Sequence, residues 1–288
     1  MAHVPFSSIE ISSVVFLALF AILMIPSTYI WISYVRAGYP WRYGFWGAFL
    51  LCAARLACFI SELVFYGSNY RNTSAAIAYI VTLSIGFIGL LECEAALFAS
   101  WAERHGLLRS PTAQQLHGKI RLLNIVALVL LIYGSTNYDS SGMVSGTPRT
   151  CIQVGTILFL VLTIVQAGYL AYGWLKYGPG SNTLMILTVV IAALFVRIIY
   201  GVYSTFNRSV SIITFNHKNV KYLVGAALVP EVVALILMII IGFINIRGEK
   251  HKQPGGRPAS GRQVAEAYDV EAIETRHKQG DHGSGSRR

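Results

Sequence analysis

The chain has 288 residues, 55% of them hydrophobic and only 12% charged, with mean hydropathy +0.56 and a formal net charge of +10. That balance excludes an ordinary soluble domain, in which about 25% of residues are charged. It also leaves no soluble surface on which the basic excess would hold nucleic acid, so membrane lipids are the expected partners.

A helix needs about 20 mainly apolar residues to cross a bilayer core. Seven stretches serve, at 11–34, 43–66, 75–98, 120–136, 151–175, 183–206 and 223–246, the fourth being the shortest. Lipid offers backbone amides no partner, so each must be a helix. The expected fold class is all-α, a seven-transmembrane helical bundle over residues 1–246 followed by a disordered basic tail at 247–288.

The first span follows MAHVPFSSIE, which has no Lys or Arg, and no small-residue cleavage pattern precedes TYIWISY, so it reads as a retained span rather than a signal peptide. Span two carries Arg55 and Glu62, and span three Glu92 and Glu94. The connection after span three, WAERHGLLRSPTAQQLHGKIR, contains Ser110-Pro111, a helix-start signal for the segment leading into span four. Span six carries Arg197 with Tyr200 and Tyr203, and span seven carries Pro230 and Glu231 in LVPEVVALILMIII. The tail opens with RGEKHKQPGGRPASGRQ, which has almost nothing to bury, and VAEAYDVEAIETRHK is its one candidate helix; a cytosolic partner for it is not specified by the sequence.

Sixteen of the 23 Lys and Arg fall on segments that are inner if the N-terminus is outside, and five on the outer ones. Loops rich in these residues stay cytoplasmic, which predicts an external N-terminus and a cytoplasmic C-terminus in a plasma membrane or endomembrane. The sequons at Asn72 and Asn207 are then external and are candidate glycosylation acceptors. All five Trp fall at inner span ends, as headgroup anchors do. Cys52, Cys58 and Cys93 lie inside spans and Cys151 at a span start, so no outer-loop disulfide is expected.

Ionisable groups within a bilayer cost about 2.5 to 3.5 kcal/mol each and usually pair or face a polar site. At a rise of about 1.5 Å per residue, Glu231 lies about 12 Å, Arg197 about 13 Å, Arg55 about 16 Å and Glu62 about 6 Å below the outer span ends. Arg197 and Glu231, on consecutive spans, make the expected ion pair. Arg55 and Glu62, seven apart, share a helix face and are expected to look into the same site. Pro230 frees the Ala226 carbonyl and should kink the helix beside Glu231, while Tyr200 and Tyr203 add hydroxyls to the stripe. Glu92 and Glu94 point to opposite sides, and Glu94 is expected to reach the headgroup layer. An equivalent Arg in spans two and six raises a parallel repeat of spans one to three and five to seven.

The Arg55, Glu62, Arg197, Tyr200 and Glu231 constellation suits a lipid or other small amphipathic ligand or a proton relay; equally, its ion pairs would serve to fix helix register. There is no Lys within span seven for a retinal Schiff base, and every His falls in a loop or terminus, away from any intramembrane metal set. No catalytic set, metal site or cofactor motif is visible.

FVRIIYGVYSTF at 195–206 and KYLVGAALVPEVVALILMIIIGF at 221–243 resemble the closing helices of a family of fungal seven-span membrane proteins of unknown function, and AARLACFI at 53–60 resembles that family's Arg-bearing second span. The resemblance implies a fungal integral membrane protein and transfers no activity. A more distant similarity links the chain to fungal lipid-translocating exporter-like proteins, whose acidic and aromatic pattern around spans six and seven is not found here. The expected function is binding or translocation of a lipid or small amphipathic molecule. The alternatives are a seven-span sensor signalling through the inner connection WAERHGLLRSPTAQQLHGKIR and the tail, and a purely structural assembly protein.

Overall fold

The computed structural model describes residues 8–36, 45–68, 72–105, 111–137, 146–178, 181–207 and 220–252. The helices are α1 (Ser8–Arg36), α2 (Phe45–Gly67), α3 (Thr73–Arg104), α4 (Pro111–Thr136), α5 (Thr147–Tyr177), α6 (Asn182–Phe206), a short α7 (Val220–Leu223), a π-helical turn (Val224–Leu228) and α8 (Val229–Lys252). No strand occurs among the described residues. Seven helices are long and apolar enough to cross a membrane, the last formed jointly by the π turn and α8. Consecutive long helices pack on one another and alternate in direction. The bundle has an amino end, where α1 begins, and a tail end, where α8 finishes.

The helices form a closed circuit, α1–α2–α3–α4–α5–α6–α8 and back to α1, with α3 pulled inside it to touch α2, α4, α5, α6 and α8. Burial agrees with that placement: 59% of the most apolar α3 window is buried against 22% for α1. Glycine makes the inner position feasible. Gly47 on α2 and Gly89 on α3 meet backbone to backbone, so a Cβ on either would run into the other's carbonyl oxygen. Such close approach of small residues is a usual means of helix association in lipid, where burial of apolar surface gives no drive of its own. Aliphatic side chains cover the outside instead, with Ile22, Ile25, Leu122 and Val129 among the exposed set.

Helix ends follow local chemistry. Asn72 caps α3, its Oδ1 accepting the Ala75 N–H at 3.1 Å. Pro111 opens α4, where its missing N–H costs nothing. Gly178 takes φ +69° to end α5 and donates its N–H to the Trp174 carbonyl.

Three expectations change. Helix α3 continues six residues past Phe98 to Arg104, which moves Glu94 away from the helix end. Trp101 is not a headgroup anchor: it is buried, donates to Ser181 Oγ at 3.0 Å and packs beneath Gly173. Helix α8 runs past residue 246 to Lys252. The tail from 253, its candidate helix, and 106–110 of the connection after span three lie outside the described residues.

Candidate functional site: a buried arginine–glutamate–arginine triad

Glu231 sits in the first turn of α8 with no exposure to solvent or lipid. Its Oε2 accepts Arg55 Nε at 2.7 Å and its Oε1 accepts Arg55 Nη2 at 2.5 Å, a fork-to-fork pair between α2 and α8. The same Oε1 accepts Arg197 Nε from α6 at 2.7 Å. One carboxylate therefore takes three charge-assisted N–H bonds and locks three helices at one depth.

The second guanidinium is also held by an aromatic face. Arg197 Cζ lies 5.6 Å from the centroid of the Phe87 ring on α3, a geometry in which the ring quadrupole attracts the cation. Phe87 is itself fixed edge-on to Phe159 of α5, with ring centroids 5.6 Å apart. Room for the first guanidinium comes from Gly86: a Cβ there would stand 3.1 Å from both Arg55 Cζ and Leu51 Cδ1. Gly86→Val should therefore destabilise the protein by about 1–3 kcal/mol through overpacking. The measurement is thermal unfolding in detergent; a wild-type melting curve would mean that Arg55 can turn elsewhere.

The charges do not balance. Two guanidiniums share one carboxylate, and Arg55 Nη1 is buried without a hydrogen-bond partner. A buried guanidinium N–H left unpaired is costly.

The backbone before Glu231 is irregular. The Val229 N–H bonds back to the Val224 carbonyl, five residues earlier, which places one surplus residue in the turn. Pro230 follows at once and has no N–H to give Ala226, so the wide turn is how this helix passes its proline. Single π turns inside α-helices are common at functional sites.

The other expected residues distribute around this centre. Glu62 does not meet Arg55; it is buried two turns away and accepts Ser13 Oγ of α1 at 2.8 Å. Sharing a face across seven residues leaves about 10 Å between the side-chain bases, and α1 supplies the nearer partner. Cys58, midway between them, is buried with its Sγ directed at the Tyr79 carbonyl at 3.6 Å. Arg55, Cys58 and Glu62 thus form a buried polar column running from the triad toward the amino end. Tyr200 is buried one turn along α6 from Arg197 without hydrogen-bonding to the triad, whereas Tyr203 is 54% exposed and accepts from Asn207 Nδ2. Six residues is about 240° of helix rotation, which takes Tyr203 off the stripe.

The acidic pair of α3 does point two ways, with the roles altered. Glu92 is partly exposed and accepts Asn124 Nδ2 of α4 at 3.1 Å. Glu94 is 1% exposed, so the expectation that it reaches the headgroup layer fails, because α3 extends ten residues beyond it. Gly86 and Phe87 are the contributors that sequence reasoning misses, since neither carries a charge; a small residue in a span is the signal that would mark close approach, here of the Arg55 side chain to Gly86. No group of three or more His, Cys, Asp or Glu able to hold a metal ion occurs among the described residues. The four Cys are free, three of them buried.

Seven apolar helices closed around a charged centre define a multi-pass integral membrane protein. A family profile matches residues 7–247, all of the spans, and the chain belongs to that family, described as a domain of unknown function, DUF7702. No curated protein and no solved structure matches the chain.

Proposed function

We propose that this protein binds, and moves between leaflets, an amphipathic molecule with an anionic head, with a phosphate or carboxylate engaging Arg55 and Arg197 at the triad. The observation that carries the reading is the excess cation: one carboxylate against two guanidiniums, with the buried Arg55 Nη1 unpartnered. An arriving anion would find planar N–H donors suited to bidentate recognition, and Glu231 would yield one of its partners to it. The polar column through Cys58 and Glu62 supplies an approach from the amino end, and the π turn supplies a helix segment in which rearrangement costs little regular hydrogen bonding. In the orientation favoured by the Lys and Arg distribution, that approach opens on the outer leaflet.

The test is lipid retention in nanodiscs, comparing phosphatidic acid with phosphatidylcholine. Wild-type protein should retain the anionic lipid selectively. Arg197→Gln should weaken that retention by about tenfold or more, as loss of one charge-assisted hydrogen bond implies. A folded Arg197→Gln variant that holds phosphatidic acid as the wild type does would sink the reading.

A further inference from the structure

A second set of unsatisfied buried polar atoms lies in the other half of the bundle. Glu94 is buried and its Oε2 has no hydrogen-bond partner. Gln166 on α5 is also buried; its Nε2 donates to the Leu91 carbonyl of α3 at 3.4 Å, while its Oε1 has no partner. Leu91 is one turn before Glu94, so Gln166 is anchored on α3 beside the turn that carries the carboxyl.

Helix phase places Glu94 on the α3 face bounded by Phe87, Leu91, Phe98 and Trp101. Those neighbours meet Phe159, Gln166 and Tyr169 of α5 and Ser181 ahead of α6. The facing α6 and α8 residues in that half, Leu187, Val190, Leu235 and Met238, are apolar and fully buried. The other buried charged groups on the helices around α3 are Arg55 and Glu62 on α2, Arg197 on α6 and Glu231 on α8, with Cys93 beside Glu94 itself, Cys52 on α2 and Tyr169 on α5 as further titratable groups; Lys119 of α4 is exposed. Arg55, Arg197 and Glu231 are engaged with one another and Glu62 with Ser13, and Arg197 is level with Phe87, seven residues or about 10 Å along α3 from Glu94. Among the described residues, Glu94 therefore has no counter-ion within hydrogen-bond reach. An isolated carboxylate in a dry helical interior costs several kcal/mol, and neutralisation by a proton is its usual escape.

We propose that Glu94 and Gln166 form a proton-binding site in the tail-end half of the bundle. One proton from solvent, added to the Glu94 carboxylate, gives a carboxylic acid whose O–H donates to Gln166 Oε1. It satisfies both orphaned acceptors at once, while Gln166 Nε2 stays on the Leu91 carbonyl. No bond other than O–H is formed, and no co-reactant beyond water is required. The site is separate from the triad and does not depend on an anion binding there.

Infrared spectroscopy of the full chain in nanodiscs at neutral pH tests the proposal. The wild type should show the carbonyl stretch of a protonated carboxyl, shifted in heavy water. Glu94→Gln should lose that band while Glu62→Gln keeps it. Glu94→Asp should move the band rather than abolish it, and Gln166→Leu should shift it upward as the acceptor is withdrawn. An identical band in Glu94→Gln, or none in the wild type, overturns the proton site; an unmoved band in Glu94→Asp overturns the assignment to Glu94. An unmoved band in Gln166→Leu overturns the pairing. Phosphatidic acid retention by Glu94→Gln should equal the wild type's, so failure of this proposal and failure of the triad reading are separable.

Discussion

Glu231→Gln should destabilise the protein by about 3–5 kcal/mol, the usual cost of leaving a buried charge without its partner. The glutamine amide retains size and one acceptor but no negative charge, and two guanidiniums would then face each other at a site where Arg55 and Glu231 have no exposure. The damage should exceed that of Arg197→Gln, because that change leaves the fork-to-fork Arg55–Glu231 pair whole. Unfolding by heat or by added denaturing detergent, followed by tryptophan fluorescence, gives the comparison. Equal stability of Glu231→Gln and wild type would mean that the arginines reach another counter-charge.

The second large effect separates structure from function. Replacing the whole triad by apolar residues of similar size, Arg55→Met with Arg197→Met and Glu231→Leu, should leave a protein that folds and is at least as stable as the wild type, with a gain of up to about 4 kcal/mol. Removing all members together avoids stranding any of them, and the desolvation of three ions no longer opposes folding. The same variant should lose selective retention of phosphatidic acid altogether. A stable triple variant that still retains the anionic lipid would relegate the triad to holding helices in register.

The triad is partly legible in the amino-acid sequence, since depth along the spans brings Arg197, Arg55 and Glu231 to one layer and adjacency pairs the first and last. Depth and face cannot say which neighbour a side chain meets across the bundle. Glu62 illustrates this: its face is Arg55's face, yet Ser13 of α1 takes it, and a lone serine has no charge to announce the contact. Glu94 escapes sequence reasoning for a different reason. Apolarity ends near Phe98 while the helix continues through SWAER to Arg104, so a boundary drawn on hydropathy puts a deeply buried carboxyl at the surface. The inner place of α3 follows from Gly47 and Gly89, whose meaning emerges only when both are seen on opposite sides of one crossing.

The π turn ahead of Glu231 carries one residue more than an ordinary helical turn needs. Helix length and helix phase are therefore uncoupled at that point: a surplus residue can migrate along a chain as a defect does along a crystal row, turning what lies behind it by about 100° without pulling on what lies ahead. The seventh span is thus a two-piece shaft with its coupling set one turn from the only carboxylate of the triad. Val220–Leu223 is joined to α8 through a turn whose spare residue lies between it and the charged centre at Glu231.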